Sequence, residues 1–222
     1  MQTTIPPNIE VLSAYMKDSD HDIGFAFDGD ADRVNVCLRG GKVVSGEEVI
    51  YQLAKFYEGE PIVITKMANM ALYNLFQKEG RTSIITDVGE KPILTEMLGN
   101  NINLGCENNG HYMLLDLTTT SDGILAACKI LSILGMTGNL NSPYEPYYQR
   151  QKNVKVKDKL SVMNSTEVKN CIDLCESLIL EDGRILVRPS GTESMIRILV
   201  EGKNKNLVDE IADKLIETIS KN

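Results

Sequence analysis

Apolar positions along this chain change period repeatedly, and each change predicts an element. Ile9, Leu12 and Tyr15/Met16 return at helical spacing, so Asn8 to Lys17 reads as a short helix. The apolar runs Ile23 to Phe27 and Val34 to Leu38 read as strands on either side of an acidic turn. Gly40-Gly41 marks a reversal into Lys42 to Val44. Ser45 or Gly46 caps a helix that carries Glu47 and Glu48 in its first turn and an apolar-periodic run from Val49 to Tyr57. Strands follow at Pro61 to Thr65, Thr82 to Thr86, Ile102 to Leu104 and His111 to Leu115. Between them lie helices at Asn69 to Glu79 and Lys91 to Leu98, and a long helix capped by Thr120 or Ser121 runs to about Leu134. Strands separated by helices of this length predict a parallel-dominated sheet covered on both faces.

Gly135 to Gln151 mixes Gly, Pro, Asn, Ser and Tyr without steady period and reads as a linker. Beyond it come a short strand at Val154 to Val156 and a helix at about Thr166 to Glu176. Leu178 to Leu180 and Arg184 to Val187 read as a hairpin around Glu181-Asp182-Gly183, followed by a strand at Met195 to Val200 and a closing helix at Asn206 to Ile219. The expected fold class is therefore α/β: a parallel-dominated three-layer domain followed by a small α+β domain with an antiparallel sheet.

Composition narrows the partners. A chain of 222 residues, 42% hydrophobic and 24% charged, matches a soluble globular protein of one large domain or two modest ones. Its 31 acidic against 23 Lys and Arg residues give a net charge of -8, which predicts no general attraction for nucleic acid or an anionic membrane. No apolar run approaches the roughly 20 residues needed to cross a bilayer, and Met1 to Pro7 lacks the features of a secretion signal. The five cysteines, Cys37, Cys106, Cys128, Cys171 and Cys175, are odd in number and lie in apolar surroundings. Buried free thiols in a reducing cytoplasm are the expectation.

Three stretches carry candidate chemistry. Asp28-Gly29-Asp30-Ala31-Asp32-Arg33 alternates carboxylates at the end of a predicted strand, where several oxygens can aim at one hard cation such as Mg2+. An EF-hand is excluded, because its Gly and Glu positions counted from Asp28 hold Arg33 and Arg39. Glu107-Asn108-Asn109-Gly110-His111 forms a tight polar turn between strands; Glu107, Asn109 and His111 suit hydrogen bonding to vicinal sugar hydroxyls, with an ordinary polar hairpin as the competing reading. Arg188-Pro189-Ser190-Gly191-Thr192-Glu193, with Arg197 on the next strand, gathers guanidinium groups, hydroxyls and free backbone N–H groups into a phosphate cradle.

With all three present in this order, the sequence resembles the α-D-phosphohexomutases, and the wording from Glu107 to Asp116 and Thr118 to Gly123 is nearest to their phosphoglucosamine mutase branch. The resemblance implies a division into residues 1–40 (the tail of the family's second domain, with the metal loop), 41–136 (the third domain, with the sugar loop), 137–152 (linker) and 153–222 (the carboxyl-terminal phosphate-binding domain). It implies Mg2+ on Asp28, Asp30 and Asp32, and Arg33 beside a transferring phosphoryl group. It also implies Glu107, Asn109 and His111 on sugar hydroxyls, with Arg188, Ser190, Gly191, Thr192 and Arg197 on the non-reacting phosphate of a hexose phosphate, glucosamine phosphate foremost. Family members carry a phosphoserine in their first domain, and no Ser-His-Asn loop of that kind occurs here. Where phosphoglucosamine mutases have Lys in a Thr-Lys-Val-Gly stretch, this chain has Asp87, with Lys91 as the nearby candidate cation. The expectation is a mutase half that needs a serine-bearing amino-terminal partner half, or forms a homodimer. The alternatives are a non-catalytic phosphosugar-binding protein and a degenerate remnant.

Overall fold

The computed structural model describes residues 6–180, 182–191 and 193–221. The chain divides into two compact units, residues 1–145 and 146–222. No helix among the described residues is long and apolar enough to cross a membrane.

The first unit opens with helix α1 (Pro6–Lys17) and a three-stranded antiparallel sheet, β1 (Ile23–Phe27), β2 (Val34–Leu38) and β3 (Lys42–Val44), in that order across the sheet. Helix α2 (Gly46–Phe56) starts at Ser45, whose hydroxyl accepts from the Glu48 N–H while the Glu48 carboxylate accepts from the Ser45 N–H. This is a full capping box. A second sheet holds β4 (Ile62–Thr65), β5 (Ser83–Thr86), β6 (Leu104–Cys106) and β7 (Tyr112–Leu114), in the order β5-β4-β6-β7. β4 pairs in parallel with β5 and β6, and only the β6–β7 pair is antiparallel. Helices α3 (Met70–Lys78), α4 (Glu90–Asn100) and α5 (Gly123–Thr137) complete the unit.

Burial alternates along β4 between two cores. Ile62 and Ile64 join a cluster with Ile50, Leu53, Leu72, Phe76 and Ile130, whereas Val63 packs with Ile93, Met97 and Met113 on the α4 side. Each such aliphatic side chain contributes about 1.5–3 kcal/mol when fully buried. Both faces of the sheet are thus covered, as the strand–helix alternation predicts. Val34, Val36, Phe25 and Phe27 from the first 40 residues share the larger core. That segment and the four-stranded sheet therefore belong to one unit.

The second unit is an antiparallel sheet of β8 (Tyr148–Lys155), β9 (Gly183–Pro189) and β10 (Met195–Gly202), with β10 in the centre. Helices α6 (Lys159–Asn164), α7 (Thr166–Ile179) and α8 (Lys205–Lys221) accompany it, and Ile196, Ile198 and Val200 pack with Val168, Cys175, Val208 and Leu215. The fold class is as expected; several local expectations change. The expected linker 137–152 already contains the start of β8, which pairs with β10 from Tyr148 onward. Its polar side chains, with only Val154 buried, hide the strand from any hydrophobic pattern. No hairpin forms at Leu178: α7 continues to Ile179 because Cys171, Cys175 and Ile179 keep one buried face at helical spacing. The strand expected at Ile102 to Leu104 is shifted to Leu104–Cys106, since Ile102 instead tucks beneath α4, its N–H bonded to the Met97 carbonyl at 2.8 Å. The cap of α5 is Asp122, whose carboxylate accepts from the Leu125 N–H, in place of Thr120 or Ser121. Helix α6 was not foreseen.

Candidate functional site

β1 ends directly at Asp28, and the chain then turns through Ala31, which sits in the left-handed region at φ 59°. The turn is held by the Ala31 N–H on the Asp28 carbonyl at 3.2 Å and the Arg33 N–H on Asp28 Oδ1 at 3.3 Å. Carboxylate oxygens of Asp28, Asp30 and Asp32 come within 4.8 Å of one another. Asp32 Oδ1 is buried without a hydrogen-bond partner, and burial followed by the Asp28 carboxyl raises the Asp32 pKa above its ordinary value. Arg33 Nε lies 3.8 Å from both Asp28 Oδ2 and Asp32 Oδ1, close enough to offset charge but not to satisfy either oxygen. Clustered carboxylates with an orphaned oxygen fit a hard divalent cation with oxygen ligands.

The turn is seated by contacts that the sequence pattern did not single out. The Gly123 N–H donates to the Ala31 carbonyl at 2.9 Å, and Ser121 Oγ donates to the Asp32 carbonyl at 2.8 Å. A side chain at Gly123 would meet the Ala31 and Arg33 carbonyl oxygens at 2.8 Å, so the amino end of α5 can press against the turn only with Gly there.

The turn and the Glu107–His111 loop are stitched to each other. Val34 N–H bonds to the Gly110 carbonyl at 3.0 Å, Arg33 and His111 form an antiparallel bridge, and His111 Nδ1 lies 3.4 Å from Asp32 Oδ2. His111 is buried, and its Nε2 has no partner among the described residues. Gly110 is at φ 98°, and a Cβ there would strike the Val34 carbonyl oxygen at 2.6 Å. Asn109 closes the loop internally, donating to Glu107 Oε2 at 3.2 Å and accepting from the His111 N–H at 3.3 Å. Glu107 is buried and its other oxygen accepts from the Gly89 N–H, the cap position of α4, at 2.8 Å. A carboxylate at a helix amino terminus is favoured by the helix dipole. From the other side, Glu47 Oε1 accepts from Asn108 Nδ2 at 2.8 Å and from the Asn69 N–H at 3.2 Å.

These groups all gather beyond the carboxyl ends of β4, β5 and β6, the usual ligand side of a parallel sheet. Lys91 is there too, exposed in the first turn of α4. The cation nearest to Asp87 is Lys66, at the end of β4, with Nζ 2.5 Å from the Asp87 carboxylate. Lys66 had no signal beyond its place after an apolar strand.

In the second unit Arg188 on β9 and Arg197 on β10 are direct cross-strand partners. Like charges placed opposite destabilise a ladder, and an anion beside the pair would offset that repulsion. Arg197 Nε is buried without a hydrogen-bond partner, while its Nη2 is 3.6 Å from Glu193. Ser190 is buried and accepts from the Glu193 N–H at 3.4 Å, so it shapes the turn, and Gly191 is exposed at its tip. Thr192 lies outside the described residues. Lys159, on the unforeseen α6, donates to the Ser190 carbonyl at 2.5 Å and brings a further cation to the loop.

Two domain profiles match adjoining stretches: "Phosphoglucomutase/phosphomannomutase, alpha/beta/alpha domain III" over residues 45–151 and "Phosphoglucomutase/phosphomannomutase, C-terminal domain" over 152–218. The chain belongs to the phosphohexomutase family. Among its relatives, the phosphoglucosamine mutase of Bacillus subtilis is 37% identical over 95% of this chain and 49% of its own length, and that of Lactiplantibacillus plantarum is 34% identical over the same shares. This phosphohexomutase chain thus spans about half the length of the curated relatives it matches, corresponding to their carboxyl-terminal half. Among solved structures, Aspergillus fumigatus N-acetylphosphoglucosamine mutase in complex with GlcNAc-6P and magnesium superposes with a TM-score of 0.76 at 19% identity, covering 94% of this chain and 52% of that one. A phosphoglucomutase/phosphomannomutase family protein from Burkholderia thailandensis gives 0.75 at 18% identity, covering 97% and 50%. At that identity the likeness is one of fold.

Proposed function

We propose that this chain is the carboxyl-terminal half of a phosphoglucosamine-mutase-type phosphohexomutase, an intramolecular phosphotransferase that acts together with a serine-bearing amino-terminal half. The observation that carries this reading is the cluster of Asp28, Asp30 and Asp32, with its orphaned oxygen, tied by backbone to the Glu107–His111 loop. Asp28, Asp30 and Asp32 would hold Mg2+, which when bound would neutralise charge on a transferring phosphoryl group. Arg33, already beside the cluster, would lie against the same group. Glu107 and Asn109 keep the loop in one shape, which supports their role in orienting sugar hydroxyls, and the buried Nε2 of His111 is a free site for a hydroxyl. Arg188 and Arg197, with Gly191 and Thr192, would anchor the non-reacting phosphate. The cationic role looked for in Lys91 is divided in this reading with Lys66. Glucosamine phosphate is the proposed substrate because the relatives at 34–37% identity carry that name. The free thiols, with Cys37, Cys106, Cys171 and Cys175 buried and Cys128 exposed against expectation, support a reducing cytoplasm.

Without a nucleophilic serine loop, the chain alone should give no turnover in a coupled glucosamine 6-phosphate assay. Adding the amino-terminal half of the Bacillus subtilis enzyme should restore it; turnover by the chain alone would overturn the reading. One observation favours a second reading, binding without chemistry: Asp87, where the resemblance would place a mutase lysine, is an acid paired with Lys66. Saturable, Mg2+-dependent calorimetric binding of glucosamine 1-phosphate, with no turnover in either mixture, would select it.

A further inference from the structure

We propose that Lys159, on α6, is a positioning residue of the Ser190–Glu193 turn: by holding the Ser190 carbonyl it aims the Gly191 N–H at the bound phosphate. This rests on the reading of Arg188 and Arg197 as an anchor for a substrate phosphate. Helix α6 is seated by contacts of its own. Val162 is buried in the core of the second unit, and the Asp158 carboxylate accepts from the Leu160 and Ser161 N–H groups at 2.9 and 3.2 Å. Lys159 therefore reaches a turn 31 residues further along the chain from a fixed base.

The partners of this ammonium set it apart. Elsewhere in the unit basic side chains meet carboxylates: Lys203 on Asp182, Lys221 on Glu217, and Arg150 on Asp209 and Asp213. No carboxylate pairs with Lys159 among the described residues. Its Nζ lies 2.5 Å from the Ser190 carbonyl oxygen and 3.5 Å from that of Glu193. Those carbonyls stand at the two ends of the turn, so one cation spans its base. An ammonium held by neutral carbonyls keeps its full charge. That charge is brought to a turn flanked by Arg188 and Arg197, which are already cross-strand partners.

Peptide geometry turns this contact into a direction. In a trans peptide the C=O and the following N–H point opposite ways, and the described residues contain no cis peptide bond. Fixing the Ser190 carbonyl on Lys159 thus turns the Gly191 N–H away from the ammonium. That N–H has no hydrogen-bond partner among the described residues. Gly191 is exposed, with nothing within 4 Å of where a Cβ would stand. The Ser190 N–H, by contrast, is engaged with the Met195 carbonyl at 2.9 Å. A free backbone donor beside guanidinium groups is the kind of group an anion-binding concavity uses. Glycine makes its own peptide easy to rotate, and the ammonium removes that freedom before a ligand arrives, which lowers the ordering cost of binding.

Isothermal calorimetry of the full chain with glucosamine 6-phosphate, in the presence of Mg2+, tests this. Lys159→Met keeps the aliphatic stem and should weaken binding about tenfold with the melting temperature unchanged; Lys159→Arg should recover part of the loss. Gly191→Pro deletes the N–H and should weaken binding to a similar extent. Adding Lys159→Met to it should then cost less than about twofold more, because the two changes remove one contact. The Gly191 amide resonance of isotope-labelled chain reads the same contact with the turn unaltered. Inorganic phosphate should move it in the wild type and leave it in place in Lys159→Met. A wild-type chain that binds neither the ester nor inorganic phosphate would overturn the anchor reading and this inference with it. Unchanged binding in Lys159→Met would keep the anchor and reject the role of Lys159. Losses that multiply in the double variant, or a Gly191 amide that still moves in Lys159→Met, would mean that Lys159 acts by charge alone and would reject the positioning.

Discussion

The two regions proposed to meet a phosphorylated substrate are built on opposite principles. In the first unit the acidic turn and the Glu107–His111 loop are locked by hydrogen bonds: the backbone pairs Val34 to Gly110 and Gly123 to Ala31, and the Asn109 side chain spanning Glu107 and His111. In the second, two guanidinium groups stand side by side on a sheet, and the turn beside them ends in an exposed Gly191 with open space around it. The first arrangement is set by folding itself and has little ordering left to lose on binding; the second sets two cations side by side with Glu193 3.6 Å from one of them, and an anion would offset the repulsion that remains. Rigid geometry suits the place where oxygens must surround a small cation, and a looser cationic turn suits a phosphate that has only to be held.

The largest expected effect comes from breaking the rigid side. Gly110→Val places a β-branched side chain at φ 98° against the Val34 carbonyl, which should cost about 2–4 kcal/mol. The melting temperature of the first unit should fall by about 5–12 °C by scanning calorimetry. Gly191→Ala, with nothing within 4 Å of its added carbon, should change stability by less than about 0.5 kcal/mol. Equal losses at the two glycines would erase the contrast.

Binding should separate the regions the other way. Arg197→Ala removes one of two opposed guanidinium groups, so stability should hold or rise slightly while affinity for glucosamine 6-phosphate drops roughly 10–100-fold, the worth of a charged hydrogen-bonded contact. Arg197→Lys should recover only part of it, because an ammonium cannot make the paired contacts. Isothermal calorimetry decides the matter. Unchanged phosphate affinity in both variants would mean that the cross-strand pair is not an anion site.

How much of this was legible beforehand differs by region for the same physical reasons. Strands with one or two buried faces, such as Ile62–Thr65, announce themselves through their apolar runs, and the parallel sheet followed from them. The acidic turn was visible because three Asp at alternate positions repel one another unless a cation sits among them. Groups whose partners are distant in sequence stayed hidden. Ser121 and Gly123 seat a turn some ninety residues earlier, their partners being Asp32 and Ala31. Glu47 reads as a helix-start carboxylate and in fact holds Asn108. Only the end of β8, at Val154, was read as strand because its polar start has no hydrophobic signature, and Lys159 went with the short α6 that no pattern predicted.

The smallest expected effect is the one that tests the acidic cluster itself. Folding raises the Asp32 pKa, first through burial and then through the Asp28 carboxyl, above the ordinary 3.8. A carboxyl shifted upward favours the native state while it is protonated, and that contribution fades as pH rises through its native value. At neutral pH without a cation the Asp32 carboxylate therefore works against the fold, and Asp32→Asn should be at least as stable as the wild type. A bound divalent ion reverses this, and protons compete with it. At about ten times its dissociation constant Mg2+ should stabilise the chain by about 1.4 kcal/mol at pH 7.5, or about 3–5 °C. At pH 4.5 the shift should shrink, because a fraction of Asp32 is then protonated, and in Asp32→Asn it should be lost at both pH values. A Mg2+ shift of equal size in the variant would place the ion elsewhere and leave the first region, for all its rigidity, without the ligand its geometry favours.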